Sequence, residues 1–491
     1  MKRIIHWYDY ITFNIFWFGL TAISQTMTPL IIPLLIQQFV GEQSKGSFYG
    51  NLRLWTLMTA LLVQSLMGML SDQSTSRFGK RRPFIFIGTI GVIVMVVLIG
   101  FSAGLEGLSG YWVLFACVVL MMVAANTAQG AQQGVLPDLV PEEKRGAFSG
   151  IKAMLEIPLP LIVVAFTIAQ FIKAGKMWSG IYLLIGILIV TMAITMFIPE
   201  KPNLLKKEKL DWKPFLQLIL MTAAFTGVIL GVGELVKWVG RLASGLEARA
   251  MLFALGGVGL VGMAFAVVVG VYVSVRIGFN QSFSEAPSFV WWVINRLAFL
   301  VGATNLASFT VYFLQGRLGY VREQAAGPAS TLTMFVGVFI LLLAIPSGWL
   351  ADRFGKKKLI ALAGLLAALG VAVALSVPSL TIIYIGGCLI GAGAGLFYSA
   401  NWALGTEIVP REKSGRYLGI SNLAGAGAGA VGAYIGGPIA DFFTRALPKS
   451  PGIGYVVLFV IYGILFLGSL LPLLKVREQP LKPVSQQPIP E

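Results

Sequence analysis

"GMLSDQSTSRFGKRRPFIFIG" (68–88) and "GWLADRFGKKKLIALAG" (348–364) are two versions of one phrase. Each ends an apolar run with an acid (Asp72, Asp352), continues through Arg-Phe-Gly into a cluster of cations, and enters a second apolar run. The later copy lacks four residues between the acid and the arginine. A second phrase, "PDLVPEEKRGAFSGI" (137–151), returns as "TEIVPREKSGRYLGI" (406–420). The first pair is offset by 276–280 residues and the second by 269, in the same order. Two chance matches in one order are very improbable, so the chain is a tandem of two homologous halves.

Composition says what each half is made of. The chain has 491 residues, 57% hydrophobic and 12% charged, with a mean hydropathy of +0.82. Soluble proteins carry roughly 25% charged residues. Apolar runs near the roughly 20 residues that cross a bilayer recur from end to end. In lipid such runs satisfy their backbone groups as helices. The runs predict helices near 11–38, 50–71, 83–104, 111–136, 149–173 and 178–199, then 215–238 and 249–277, then 288–315, 328–351, 357–377, 380–405, 416–444 and 453–474. The expected fold is an all-α polytopic membrane protein of about 14 spans. Its domains would be a six-helix bundle over 1–199, a linker with two extra helices over 200–287, a second six-helix bundle over 288–475, and a disordered tail over 476–491. "EKPNLLKKEKLDWKP" (200–214) is the clearest linker.

A formal net charge of +16 would suggest nucleic acid in a soluble protein. Here the cations occupy short loops between apolar runs, where the positive-inside rule accounts for them, and no nucleic-acid partner is expected. With both termini inside, about 24 of the 37 Lys and Arg fall in cytoplasmic segments and about 10 outside. The 71–84 loop and both termini are therefore expected on the cytoplasmic side of the cell's plasma (inner) membrane, with the N-terminus entering the first helix uncleaved. Cys117 and Cys388 fall inside predicted helices and read as packing residues, His6 as an interfacial one; no metal site is expected. There is no nucleophile–base set and no phosphate loop, so the chain does not read as an enzyme.

Parallel six-helix repeats with motifs on one face are how major facilitator transporters are built. The basic loops resemble that superfamily's G-x-x-x-D-x-x-G-[RK] signature after its second and eighth helices, and the extra pair near 215–277 resembles the pair carried by its fourteen-helix members. The longer "SDQSTSRFGKRRPFI" is similar to the sucrose-transporter-like branch, related to the glycoside–pentoside–hexuronide cation symporters. "ANTAQGAQQGVLPDLV" (125–140) is similar to that branch's fourth helix, N-x-x-Q-G-x-x-R-x-L-x-x-D-L. Plant sucrose transporters carry an Asp and, eleven residues later, an Arg on this helix; Met122 and Gln133 stand there instead, so that subgroup's proton-coupling machinery does not carry over.

The resemblance implies a cytoplasmic gate of charges at helix ends: Asp72, Arg77, Lys80 and Asp138 in the first half, with Asp352, Arg353 and Glu407 in the second. The alternative is that such cations serve topology alone, which is the reading of Arg81, Arg82, Lys357 and Lys358. On the fourth helix Asn126, Gln129 and Gln133 stand at i, i+3 and i+7, one polar stripe. A row of amides offers donors and acceptors to sugar hydroxyls, or hydrogen bonds to neighbouring helices. The resemblance places this helix beside a central cavity. Asn14, Gln25, Gln64, Trp291, Asn295, Asn305, Tyr398, Asn401 and Trp402 complete a candidate solute-binding ring. Glu156, an acid inside an apolar helix, is a candidate proton carrier; Lys152 four residues earlier is its alternative partner. Arg296 either pairs with Glu156 or meets an anionic solute. The favoured function is secondary transport of a small polar solute, a sugar or glycoside, by alternating access, with H+ or Na+ as coupling cation and no other cofactor. Beyond solute and bilayer no partner is expected, and the chain reads as a monomer. The alternatives are export of amphiphilic compounds, or a non-transporting membrane factor handling a hydrophobic cofactor. Paired gate motifs argue against a static factor.

Overall fold

The computed structural model describes residues 5–200, 212–279, 287–408, 414–450 and 452–477. The expected linker at 200–214 and tail at 476–491 lie largely outside these residues. Fourteen helices are long and apolar enough to cross a membrane. In chain order they are α1 Asp9–Val40, α2 Lys45–Asp72, α3 Arg82–Ser102, α4 Gly107–Leu139, α5 Glu142–Lys173, α6 Met177–Thr195, α7 Lys213–Ala243, α8 Ala248–Gly278, α9 Pro287–Leu318, α10 Ala326–Phe354, α11 Lys356–Ser376, α12 Leu380–Ile408, α13 Ser414–Ala446 and α14 Ile453–Lys475. Each predicted span has its helix. Most run a few residues further at one or both ends than the apolar runs, because polar residues continue the hydrogen-bond ladder beyond hydrocarbon depth. The 73–81 loop and the turns after Leu139 and Phe354 share one face, here the basic face; the opposite is the distal face.

Small residues set the closest crossings, as expected where apolar surface supplies no preference for helix over lipid. A Cβ on Gly88 of α3 would lie 2.6 Å from the Ala124 carbonyl of α4. The second half repeats this with the small residue on the partner helix: a Cβ on Gly393 of α12 would lie 2.7 Å from the Ala363 carbonyl of α11. Gly391 and Gly395 of α12 likewise abut the backbone of α10 at Val336 and Ile340. The glycine run "GGCLIGAGAG" is therefore a packing surface on two sides.

The extra pair, α7 and α8, docks on α13, with α7 also touching α2. Phe225 of α7 is seated against Gly427 of α13 and Gly270 of α8. Lys237 donates to Glu234 (2.6 Å) and to the Tyr434 hydroxyl (3.3 Å), tying α7 to α13. Local irregularity falls on α1 and α5. A π-helical turn occupies Met27–Ile31, around Pro29. In α5 the helix breaks at Ile157, because Pro158 and Pro160 supply no N–H to the preceding turn.

Candidate functional site

On the basic face the long loop folds around Arg81, which is buried where the other cations of the motif are exposed or half-buried. Its guanidinium bonds Asp72 through Nη2, Asp138 Oδ2 through Nε at 2.9 Å, and the Ser71 hydroxyl through Nη1. Lys80 Nζ stands 3.4 Å from both Asp72 and Asp138. Gly134 of α4 makes room: a Cβ there would fall 2.2 Å from the guanidinium carbon. The main-chain N–H groups of Arg81 and Arg82 donate to Glu200, beyond α6, at 2.7–3.1 Å. Gly79 meets Glu200 with φ +107, a backbone conformation that suits glycine.

The shorter loop builds the same arrangement with weaker parts. Lys356, the counterpart of Lys80, bonds Glu407, the counterpart of Asp138. Lys357, the counterpart of Arg81, donates to the Val476 carbonyl at 2.7 Å, where the first half has Glu200. The interactions differ from the expected interdomain gate in their partners. Asp72 bonds Arg81 and Lys80, while Arg77 lies 4.8 Å from the Phe78 ring. Arg353 lies over the Trp349 and Phe354 rings at 5.2 and 5.6 Å, and Asp352 is exposed. Among the described residues every ion pair on this face stays within one half. The reason is reach: the partners sit at neighbouring ends of helices packed side by side within one half.

The distal face is different. The N-terminus of α2 is driven into α13, and a Cβ on Gly50 would lie 2.2 Å from the Ala433 carbonyl, one on Gly437 2.1 Å from the Gly46 carbonyl. Buried Asp441 of α13 accepts the Gly46 and Ser47 N–H groups at 2.8 and 2.6 Å. It caps a helix of the other half, where orphan donors and the helix dipole favour an anion. Buried Lys45 beside it donates to Gln315 of α9 at 3.0 Å and to Glu42, and lies 4.6 Å over the Tyr312 ring. The Tyr312 hydroxyl donates to the Pro33 carbonyl of α1 at 2.7 Å. Sequence reasoning missed this whole cluster. Asp441 falls inside the predicted 416–444 helix but does not stand out there, because it sits five residues before the helix ends at Ala446, where an ordinary helix-end acid near the surface is expected.

Between the faces, most of the predicted amides are engaged with protein. Asn14 Nδ2 donates to the Tyr10 and Phe148 carbonyls (2.9 and 3.2 Å), and Asn126 to the Met122 carbonyl (2.8 Å). Asn305 donates to the Val301 and Ala428 carbonyls (2.9 and 3.2 Å), joining α9 to α13. Asn295 donates to the Ser469 carbonyl (2.8 Å) and accepts from Asn401 (2.9 Å). All five are buried. This differs from the expected solute-facing ring, because an amide at membrane depth is costly unless another helix satisfies it. Gln132, absent from that ring, donates to the Phe13 carbonyl at 2.8 Å. Its neighbour Gln133 is exposed, and Gln25, Gln64 and Gln129 are half-buried.

Glu156, just before the Pro158 break, pairs with Lys152 at 3.5 Å rather than with Arg296, and Lys152 lies 3.9 Å over the Trp17 ring. Arg296 donates through Nη1 to Asn401 Oδ1 at 3.0 Å and stands 5.9 and 5.5 Å from the Trp292 and Trp402 rings. Trp402 is exposed and Tyr398 half-buried. Trp291 carries Lys475 at 4.3 Å over its ring.

Comparison with known proteins agrees with this architecture. The family model described as Major Facilitator Superfamily matches residues 15–321 and 292–490. The sucrose transport protein SUC3 of Arabidopsis thaliana is 34% identical over 110 residues, 19% of this chain and 18% of that protein. The proton-associated sugar transporter A of Mus musculus is 30% identical over 131 residues, 25% of this chain and 17% of that protein. The chain thus matches less than a fifth of either relative's length. A D-xylose–proton symporter superposes with a TM-score of 0.62 at 17% identity, covering 96% of this chain and 99% of that one. A nucleoside transporter does so at 0.63 and 12%, covering 95% and 100%. With fourteen membrane helices, twelve of them in two repeated bundles, and the family model matching both, the chain belongs to the Major Facilitator Superfamily.

Proposed function

We propose that this transporter moves a small polar solute, a sugar or glycoside, by alternating access between its two bundles. The observation that carries the reading is one-sided closure. At the distal face the bundles meet backbone to backbone and share the Asp441 cap, while on the basic face the ion pairs among the described residues each stay within one half. Such a seal on one side only is the arrangement of a pathway open towards the basic face. The positive-inside rule supports reading that face as cytoplasmic, and with it both termini as lying inside, in the plasma (inner) membrane. The sugar reading rests on the names of the partial relatives and on exposed Trp402, half-buried Tyr398 and the glutamines of α2 and α4, which offer ring faces and amides to a hydroxylated solute.

Coupling to H+ or Na+ would run through Glu156, set at the α5 break beside Lys152. The direct test is uptake into proteoliposomes, with a panel of mono- and disaccharides offered with and without a pH or Na+ gradient. Saturable, gradient-stimulated uptake of at least one sugar is the expected result. Failure of every sugar, with export of amphiphilic dyes instead, overturns the reading.

A further inference from the structure

We propose that the solute carries an anionic oxyacid group, and that Arg296 holds it; this rests on the sugar-transport reading above. Few charges occur at membrane depth, and the acids are already engaged. Glu156 faces Lys152, Glu234 faces Lys237, and Asp441 is held by two main-chain amides. Away from the helix ends, two arginines remain. Neither Arg53 of α2 nor Arg296 of α9 has a carboxylate within ion-pair distance among the described residues, and the Nε of each is buried without a partner. An arginine at this depth is costly and normally faces a cavity or a counter-charge.

Arg296 is the better built of the two. Asn401 occupies Nη1, and Asn401 is itself fixed by Asn295, which is tied to Ser469. The Trp292 and Trp402 rings flank the guanidinium, and the Trp292 indole N–H is anchored on the Asn401 carbonyl at 2.9 Å. The side chain is thus oriented by three helices, α9, α12 and α14. Its other edge, Nε with Nη2, has no acceptor among the described residues. That edge is the fork that meets a carboxylate or phosphate with two parallel hydrogen bonds. A positioned fork beside an exposed indole suits a sugar acid: the ring lies on Trp402, and the acid meets Arg296.

Arg53 marks the far end of the path. Its Nη2 and the Thr304 hydroxyl lie 3.7 and 3.8 Å from the position of a Cβ on Gly429. It therefore stands where α2 meets α9 and α13. Thr304 is eight residues, about 12 Å, along α9 from Arg296. Among the described residues neither cation has an anion to neutralise it, so a negatively charged solute entering between the bundles would be attracted to both.

The test is counterflow in proteoliposomes with glucose, glucuronate and glucose 6-phosphate, which share a skeleton and differ in the group at one end. The expected result is that one acidic compound is carried about tenfold to a hundredfold better than glucose. The arm that wins tells carboxylate from phosphate. Arg296→Gln should erase that preference and Arg296→Lys keep part of it. Both variants must elute as the parent does in size-exclusion chromatography, and Arg296→Lys keeps the test usable if Arg296→Gln misfolds. Glucose carried as well as the acids, with Arg296→Gln unchanged, overturns the anionic solute and leaves the sugar transporter standing. No transport of any of the three, or of any sugar in the wider panel, overturns both.

Discussion

Replacing Asp441 by Ala tests whether the distal seal is a helix cap borrowed from the other bundle. The carboxylate serves two main-chain N–H groups, of Gly46 and Ser47, at 2.8 and 2.6 Å. When the distal face is closed these donors are covered by α13; when it opens, water satisfies them. Ala therefore costs only the closed state. Removing a helix cap costs about 0.5–2 kcal/mol, and a buried one belongs at the upper end. About 2 kcal/mol shifts the closed-to-open ratio by roughly thirtyfold. Asn caps a helix as well as Asp does, so Asp441→Asn should shift the ratio by no more than about threefold. The assay is the distance between spin labels at Leu105→Cys and Val377→Cys, two exposed distal-loop positions in different bundles, with Cys117 and Cys388 replaced by Ala. Asp441→Ala should add a longer-distance population that Asp441→Asn lacks. Identical distributions in parent and Asp441→Ala would refute the capping argument. Equal shifts in Ala and Asn would show that the charge, not the cap, makes the seal.

Three further outcomes follow from the geometry. Gly437→Val puts a side chain where a Cβ already lies 2.1 Å from the Gly46 carbonyl, so counterflow should fall to background in a protein that still inserts and stays monodisperse; Gly425→Val, with nothing within 4 Å, should transport normally. Arg81→Ala removes the closer of the two cations that Asp72 and Asp138 share, leaving Lys80, and with both acids partly exposed the cost is about 2 kcal/mol. It should lower the thermal midpoint more than Lys356→Ala, which breaks a single pair, and equal effects would contradict the hub described for Arg81. Glu156→Gln should abolish pH-driven uptake and spare counterflow; an unchanged pH dependence would remove Glu156 from coupling.

The architecture was legible because hydrophobic run length and two repeated phrases are long signals, each averaged over many residues. The site was legible only in part, for a local reason. Polar residues at membrane depth have two uses, and a sequence does not separate them. Asn295 and Asn401 satisfy each other, and Asn14 and Asn305 hold neighbouring helices. Arg296 meets Asn401 and Trp402, and nothing in their spacing along two helices far apart in sequence says so. The basic loop was misjudged in its detail. Arg81 reads as one more topological cation, yet it is the one held on three sides, because Gly134, on α4 and outside the basic phrase, leaves the space.

That detail changes what the paired basic motifs do. Arg81 joins the ends of α2 and α4, while its backbone and that of Arg82 hold the residue beyond α6. Lys356 and Lys357 join α11 to α12 and to the end of α14 in the same way. None of these contacts needs to break when the bundles move relative to each other, since each lies inside one bundle. They fix four helix ends as one body in the first bundle and three in the second, which is what rocking against a partner requires. The distal contacts have the opposite character. Backbone packing and hydrogen bonds that water can replace contribute only about 0.5–1.5 kcal/mol net apiece. A seal built from them is tight while closed and inexpensive to open. Rigidity within the bundles and reversibility between them are thus assigned to different faces, and the two copies of the basic phrase serve the first.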